Sequence, residues 1–216
     1  MILVVNAGSS SIKVALFRAD LTEVMAGQVS GIGGPLAHID LGTDDKDIAA
    51  PDHGAALNAI LQSFAAQGIT TDQLTAVAHR VVHGGTSLVQ PCRITDDVIA
   101  GIEAATPLAP LHNPNNLAGI RAIAALAPDI AQFASFGTAF HATNPDVATA
   151  YAIPDSDRAM GIRRYGFHGL SYAWIVTQFE DKLPDRLLAF HLGSGASLCA
   201  IHKGQSVAVI ILPAPT

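Results

Sequence analysis

The first seventeen residues constrain the fold more than any other stretch of the chain. Ile2-Leu3-Val4-Val5 is wholly apolar. Residues 11–17 alternate, with Ile12, Val14 and Leu16 on one side and Lys13 on the other. Between the two runs lies Asn6-Ala7-Gly8-Ser9-Ser10, whose glycine and serines supply turn chemistry. Two short strand-period runs about a small polar turn predict a β-hairpin.

Further along, residues 27–42 are Gly-rich with short apolar pieces (Val29, Ile32, Leu36, Ile39), which predicts more strands and loops. Leu57, Ile60, Leu61 and Phe64 recur at helical spacing, so residues 54–67 read as a helix stopped by Gly68. Residues 75–82 read as a buried strand ending in His83-Gly84-Gly85. Thr95 is placed to cap a helix running to about residue 105, with Asp96 and Asp97 in its first turn. Asn115 or Asn116 opens another, carrying Leu117, Ile120, Ile123 and Leu126. After a strand at 133–136, Tyr165-Gly166-Phe167-His168-Gly169 leads into a helix near 171–182, and residues 187–191, 196–201 and 206–212 form a three-stranded meander. Strands alternating with helices indicate an α/β protein. Asn-Pro and Pro-Asp turns within 140–154 suggest a boundary between a first domain, 1–140, and a second, 141–216.

Composition narrows the function. Half of the 216 residues are hydrophobic and 14% are charged, enough to build a core and too apolar for a disordered chain. A net charge of −6 argues against a nucleic-acid partner, which would need a basic stripe. Cys92 and Cys199 are too few for a disulfide scaffold and fit a reducing compartment. The start of the chain has no basic residue before its apolar run, and 207–212 is far shorter than the roughly 18 residues of a membrane span. The expectation is a soluble, cytoplasmic protein with no membrane partner.

One internal echo matters. Leu3 to Ser11 and Leu188 to Ser197 share a plan of apolar strand, polar residue, Gly/Ser turn and second strand, about 185 residues apart. Such turns can present backbone N–H groups and hydroxyls to phosphate without a Walker lysine, and neither a P-loop nor a G-x-G-x-x-G fingerprint is present. One such turn is ordinary hairpin chemistry; two, with Lys13 beside one of them, suit a phosphate in a duplicated domain.

His79 and His83 are spaced like a zinc pair, but Val-Val before Gly-Gly fits a strand end better than the helix such a pair needs. Arg80, at a strand end, can fork onto a carboxylate or phosphate, or form a structural ion pair. Pro107 to Asn116 is a rigid, turn-rich segment before a helix. His168, between glycines where little else crowds it, is either a structural histidine or a donor to phosphate. No G-x-S-x-G elbow occurs, so covalent hydrolase chemistry is not indicated.

Val5-Asn6-Ala7-Gly8-Ser9-Ser10-Ser11-Ile12-Lys13 resembles the first signature of the acetate kinases, in the acetate and sugar kinase/heat-shock/actin superfamily. Residues 79–85, 107–116, 136–141, 161–171 and 191–197 resemble the family's other blocks, in the family's order. The resemblance implies a duplicated ribonuclease-H-like α/β fold with an active site in the cleft between its domains. It implies the reaction ATP + acetate ⇌ ADP + acetyl phosphate, with Mg²⁺, in a homodimer. By motif match, Asn6 would sit at the metal and Lys13 by the nucleotide phosphates. Arg80 would hold the substrate carboxylate or the moving phosphoryl, and His168 would donate to that phosphoryl. His191, Leu192, Gly193, Ser194 and Gly195 would form the second phosphate turn, and Val82, Leu111 and Phe167 would line the pocket for the acetate methyl.

Three departures accompany the likeness. Where the family reads Phe-Asp-Thr-Ala-Phe-His, this chain has Phe136-Gly137-Thr138-Ala139-Phe140-His141, without the carboxylate assigned to the metal and catalytic site. Ser194 stands where the family usually has asparagine. The likeness ends near Ser206-Val207, where the family pattern continues, and the apolar, proline-containing stretch 208–216 reads as a frameshift or truncation that leaves the second domain incomplete. The alternatives to an acetate kinase are therefore a catalytically impaired remnant, or a sibling kinase for propionate or butyrate.

Overall fold

Strand β1 (Ile2–Ala7) lies inside an eight-stranded sheet. The structure, a computed structural model, describes residues 1–193 and 195–212. β1 pairs antiparallel with β2 (Ser11–Phe17), closing the expected hairpin with Asn6 opposite Lys13. The sheet continues antiparallel through β3 (Glu23–Ser30), β4 (Ala37–Leu41) and β5 (Asp44–Ile48). Helix α1 (His53–Ala66) then crosses over to β6 (Ala76–Val81), which runs parallel to β1 on its other side. Next come β7 (Cys92–Arg93), α2 (Asp96–Ala104), α3 (Asn113–Leu126) and β8 (Ala131–Phe136), giving the order β5-β4-β3-β2-β1-β6-β8-β7.

Alternation decides which side of this sheet is core. Leu3, Val5, Ile12, Val14, Leu16, Val29 and Ile39 point to one face and are buried with Leu57, Ile60 and Phe64 of α1 and Ile123 of α3. Burying each such side chain stabilises the fold by about 1.5–3 kcal/mol. Asp52 caps α1 by accepting from the Ala55 N–H at 2.8 Å, and Gly68, at φ +81°, follows its end. Thr95 caps α2 as expected.

α3 begins at Asn113, earlier than the sequence pattern indicates, because two of its asparagines face inward instead of capping. Asn116 Oδ1 accepts from the Val82 N–H (3.0 Å) while its Nδ2 donates to the Ala7 carbonyl (2.8 Å). Asn113 brackets His83 in the same way, accepting from its N–H (3.1 Å) and donating to its carbonyl (3.0 Å). Strand β5 escapes the sequence reading because Asp44-Asp45-Lys46-Asp47 has no apolar alternation. It is an edge strand whose charges stay in solvent, with His38 held between Asp45 and Asp47.

The chain divides into two compact units, Met1–Gly85 with Pro91–Ser135, and Thr86–Gln90 with the residues from Phe136 onward. The second unit holds the short helices α4 (Asp146–Thr149) and α5 (Asp155–Ala159), then α6 (Gly169–Thr177) and the meander β9 (Arg186–His191), β10 (Ala196–His202) and β11 (Gln205–Leu212). α6 stops five residues short of the expected Lys182, and Glu180–Lys182 is a separate 3-10 turn. β10 turns into β11 over Lys203-Gly204, both at positive φ (49° and 81°), the backbone that a two-residue hairpin requires. Tyr172, Ala189, Cys199 and Ile201 form this unit's core, whereas Leu188, Phe190 and Ile210 on the meander are more than half exposed.

Two stability predictions follow from the first unit. Asn116→Ala leaves the Val82 N–H and the Ala7 carbonyl buried without partners, which should cost about 2–4 kcal/mol, read as a lower urea midpoint at unchanged m-value. Burial pulls the His79 imidazole down to about 4 from the ordinary 6.5. The unfolded chain therefore binds the proton first, and stability present above pH 6.5 is lost as pH falls toward 4, by about 3 kcal/mol. Comparing urea midpoints at about pH 7.5 and about pH 4.5 checks it: His79→Gln should lose less stability than the parent over that interval.

Candidate active site

The alternation that buries Leu3, Val5 and Ala7 turns Asn6 to the opposite face of the sheet. Lys13 shares that face because it pairs directly with Asn6, and Arg80 shares it because β6 alternates in step with β1. Arg80 Nη1 donates to Asn6 Oδ1 at 3.0 Å. Burial opposes the guanidinium's charge, yet arginine stays protonated at any physiological pH. Lys13 is exposed. Two cations and an amide thus converge on one sheet face, a donor set suited to a carboxylate or phosphate.

The turn after β1 is held from three directions. Its Gly8 N–H donates to the Ser11 carbonyl (2.7 Å), its Ser10 carbonyl accepts from Ile32 (3.0 Å), and its Gly8 carbonyl accepts from His53 Nε2 (2.7 Å). His53, buried in the first turn of α1, is a positioning residue that the sequence reading missed. Nothing in the sequence marks a histidine after an N-cap as reaching back forty-five residues.

His79 and His83 have separate partners. His79 points away from Arg80, with Nε2 2.7 Å from Gln132 Oε1, and His83 Nδ1 accepts from the Gly85 N–H at 2.9 Å. Of the residues matched to the methyl pocket, Val82 is buried, Leu111 is 74% exposed, and Phe167 belongs to the second unit.

In the second unit, His168 precedes α6 in the left-handed region, φ +60°. It is not uncrowded, as its flanking glycines had suggested. Its ring stacks on His191 at 4.0 Å and 14°, and its Nδ1 lies 2.8 Å from Ser197 Oγ. The glycines serve close approach instead. A Cβ on Gly166 would sit 2.4 Å from the His141 ring and from Val209, and one on Gly169 would sit 2.6 Å from the Gly137 carbonyl. That carbonyl accepts from the Gly169 N–H (2.8 Å), and the Phe167 carbonyl accepts from His141 Nε2 (2.9 Å), so both sides of His168 are pinned. His191 Nδ1 lies 3.1 Å from Ser171 Oγ. The turn after β9 passes His168, since a Cβ on Gly195 would meet its Nε2 at 3.4 Å. Leu192 is exposed, and Ser194 lies outside the described residues.

For a divalent cation these residues are a poor fit. Mg²⁺ is ordinarily held by one or two carboxylates together with substrate phosphates. Asn6 offers a neutral oxygen already engaged by Arg80, and position 137 is glycine. Among the described residues no group of three or more His, Cys, Asp or Glu is arranged to hold a metal.

Known proteins match this chain over nearly its whole length. The model of the acetokinase family covers residues 1–211. An acetate kinase of Streptomyces avermitilis is 44% identical over 95% of this chain and 55% of its own, and acetate kinase 2 of Listeria monocytogenes is 40% identical over the same shares. The solved acetate kinase of Porphyromonas gingivalis superposes with a TM-score of 0.87 at 35% identity, covering 97% of this chain and 57% of its own. A propionate kinase of Francisella tularensis superposes at 0.89 and 31%, covering 97% and 56%. The chain therefore spans about half the length of the curated relatives it matches. Its mixed sheet and helices take the α/β, ribonuclease-H-like fold of the acetate and sugar kinase/heat-shock/actin superfamily. From the hairpin signature at Asn6 to the meander's β11, the chain belongs to the acetokinase family.

Proposed function

We propose that this chain carries residues for phosphoryl transfer between ATP and acetate, giving ADP and acetyl phosphate. The observation that carries the reading is the Arg80–Asn6 pair, with Lys13 beside it on one sheet face. Arg80 holds the acetate carboxylate or the moving phosphoryl, and Lys13 draws in the nucleotide phosphates. His168 donates to the phosphoryl as charge spreads over its equatorial oxygens, and the turn 191–195 receives phosphate. Val82, Leu111 and Phe167 accommodate the methyl group. Residues 1–140 and 141–216 are the first domain and the start of the nucleotide-side domain. Such a transfer relies on positioning and charge neutralisation, with no covalent help from the protein. Asn6, engaged by Arg80, and Gly137 supply no carboxylate to Mg²⁺. The same proposal includes a homodimeric, cytoplasmic enzyme; among the described residues no helix is long and apolar enough to cross a membrane.

Two further readings have observations behind them. The propionate kinase superposition favours a sibling substrate, and one methylene in an apolar pocket is worth only about 1–3 kcal/mol. Gly137 favours an impaired enzyme, since losing a carboxylate at the metal site costs several kcal/mol of transition-state stabilisation.

A hydroxamate assay with ATP, Mg²⁺ and either acetate or propionate separates these readings. The chain itself should turn over more than tenfold below the Streptomyces avermitilis relative, and Gly137→Asp alone should not restore it. Residues 1–207 carrying Gly137→Asp, joined to the matching C-terminal half of that relative, should make acetyl phosphate. Within that chimera, Arg80→Ala or His168→Ala should lower kcat by roughly 10²–10³. Unchanged kcat with only a lower Tm would reduce both residues to structural roles.

A further inference from the structure

Tyr172 and Ser197 are fully buried, so each of their hydroxyl protons needs an acceptor inside the protein. The Tyr172 oxygen lies 2.6 Å from Ser197 Oγ, its one hydrogen-bond partner among the described residues. Ser197 Oγ is the acceptor within its reach, so the tyrosine proton goes there. Among the described residues Ser197 Oγ has one remaining partner, His168 Nδ1 at 2.8 Å, so its own proton goes there. The donors run in one direction: Tyr172 O–H to Ser197, Ser197 O–H to His168 Nδ1. A ring that accepts at Nδ1 carries its proton on Nε2.

We propose that Tyr172 and Ser197 are positioning residues that fix His168 as the neutral Nε2–H tautomer. Protonating Nδ1 would turn both Ser197 neighbours into donors and leave the serine proton without an acceptor, so the relay opposes the imidazolium. The titratable groups packed near the ring act in the same sense or from behind the relay. His191 of β9 stacks on it at 4.0 Å, which disfavours two adjacent cations. Cys199 of β10 and His141 of the 3-10 turn at Ala139–Thr143 pack against the Tyr172 side. His168 is then a hydrogen-bond donor without net charge, aimed by its Nε2, and the cationic work falls to Arg80 and Lys13. This deepens the kinase reading and depends on it only for what Nε2 donates to during transfer.

Nitrogen-15 NMR of the full chain, labelled on histidine, reads the tautomer without substrate. The expected pattern for His168 at pH 7 is an unprotonated Nδ1 and a protonated Nε2, persisting well below the ordinary histidine midpoint of about 6.5. Ser197→Ala should release it, giving mixed tautomers and a midpoint shifted up toward 6.5, and Ser197→Thr should restore the single pattern. Tyr172→Phe keeps the buried ring and should give mixed tautomers as well. A parent protein showing protonated Nδ1 or the imidazolium pattern at pH 7 overturns the proposal with no variant needed. So does a folded Ser197→Ala with the parent pattern. In the active chimera, Tyr172→Phe should lower kcat about tenfold with KM for ATP unchanged. If kcat does not move while the NMR pattern does, the tautomer assignment stands and the catalytic reading of His168 fails.

Discussion

One buried amide holds the two strand ends that matter in the first unit. Asn116 accepts from Val82 just after β6 and donates to Ala7 at the end of β1, so the two parallel strands are tied at the level of Asn6 and Arg80. Without that tie, the Arg80–Asn6 contact would depend on strand pairing alone, and the parallel ladder ends at Val5 and His79. α3 must come close for the amide to reach, and Gly119 permits it: a Cβ there would lie 3.3 Å from the Ala7 methyl. The polar bracket and the missing side chain are thus one device, placing a helix N-terminus against a sheet so that a guanidinium and an amide meet on its far face.

The hairpin, α1, β6, α2 and the final meander were legible in the sequence because each has an apolar period and a punctuating residue: Gly68, Thr95, or Lys203-Gly204. What escaped lacks local signal. β5 is four charged residues and an isoleucine, a strand only because β4 offers an edge. Asn113 and Asn116 look like capping residues, and their inward orientation follows from contacts thirty or more residues away. The site behaves likewise. The resemblance pointed to Asn6, Lys13 and Arg80, and the register explains why these three share a face. His53, Ser197 and Tyr172 were invisible, since each acts on another residue's atoms across a large sequence separation.

The two units supply different electrostatics. The first presents permanent charge: Arg80 cannot lose its proton, and Lys13 lies in solvent. The second presents stacked imidazoles with hydroxyl partners, Ser197 for His168 and Ser171 for His191. A neutral donor fixed in direction responds chiefly to charge that develops during transfer, which is the difference that accelerates a reaction.

Gly137 shows how fold and chemistry can part company in one residue. Its structural duty is carried by the backbone, whose carbonyl receives the Gly169 N–H and anchors the start of α6. Its φ is not positive, so a side-chain-bearing residue could occupy the position without left-handed strain. The carbonyl contact does not depend on which side chain is there. An exchange between aspartate and glycine at this position therefore leaves the anchor of α6, and with it the residue before it, His168, in register. The geometry at position 137 is set by backbone atoms and any charge there by a side chain, so the fold is indifferent to a choice that would matter to chemistry.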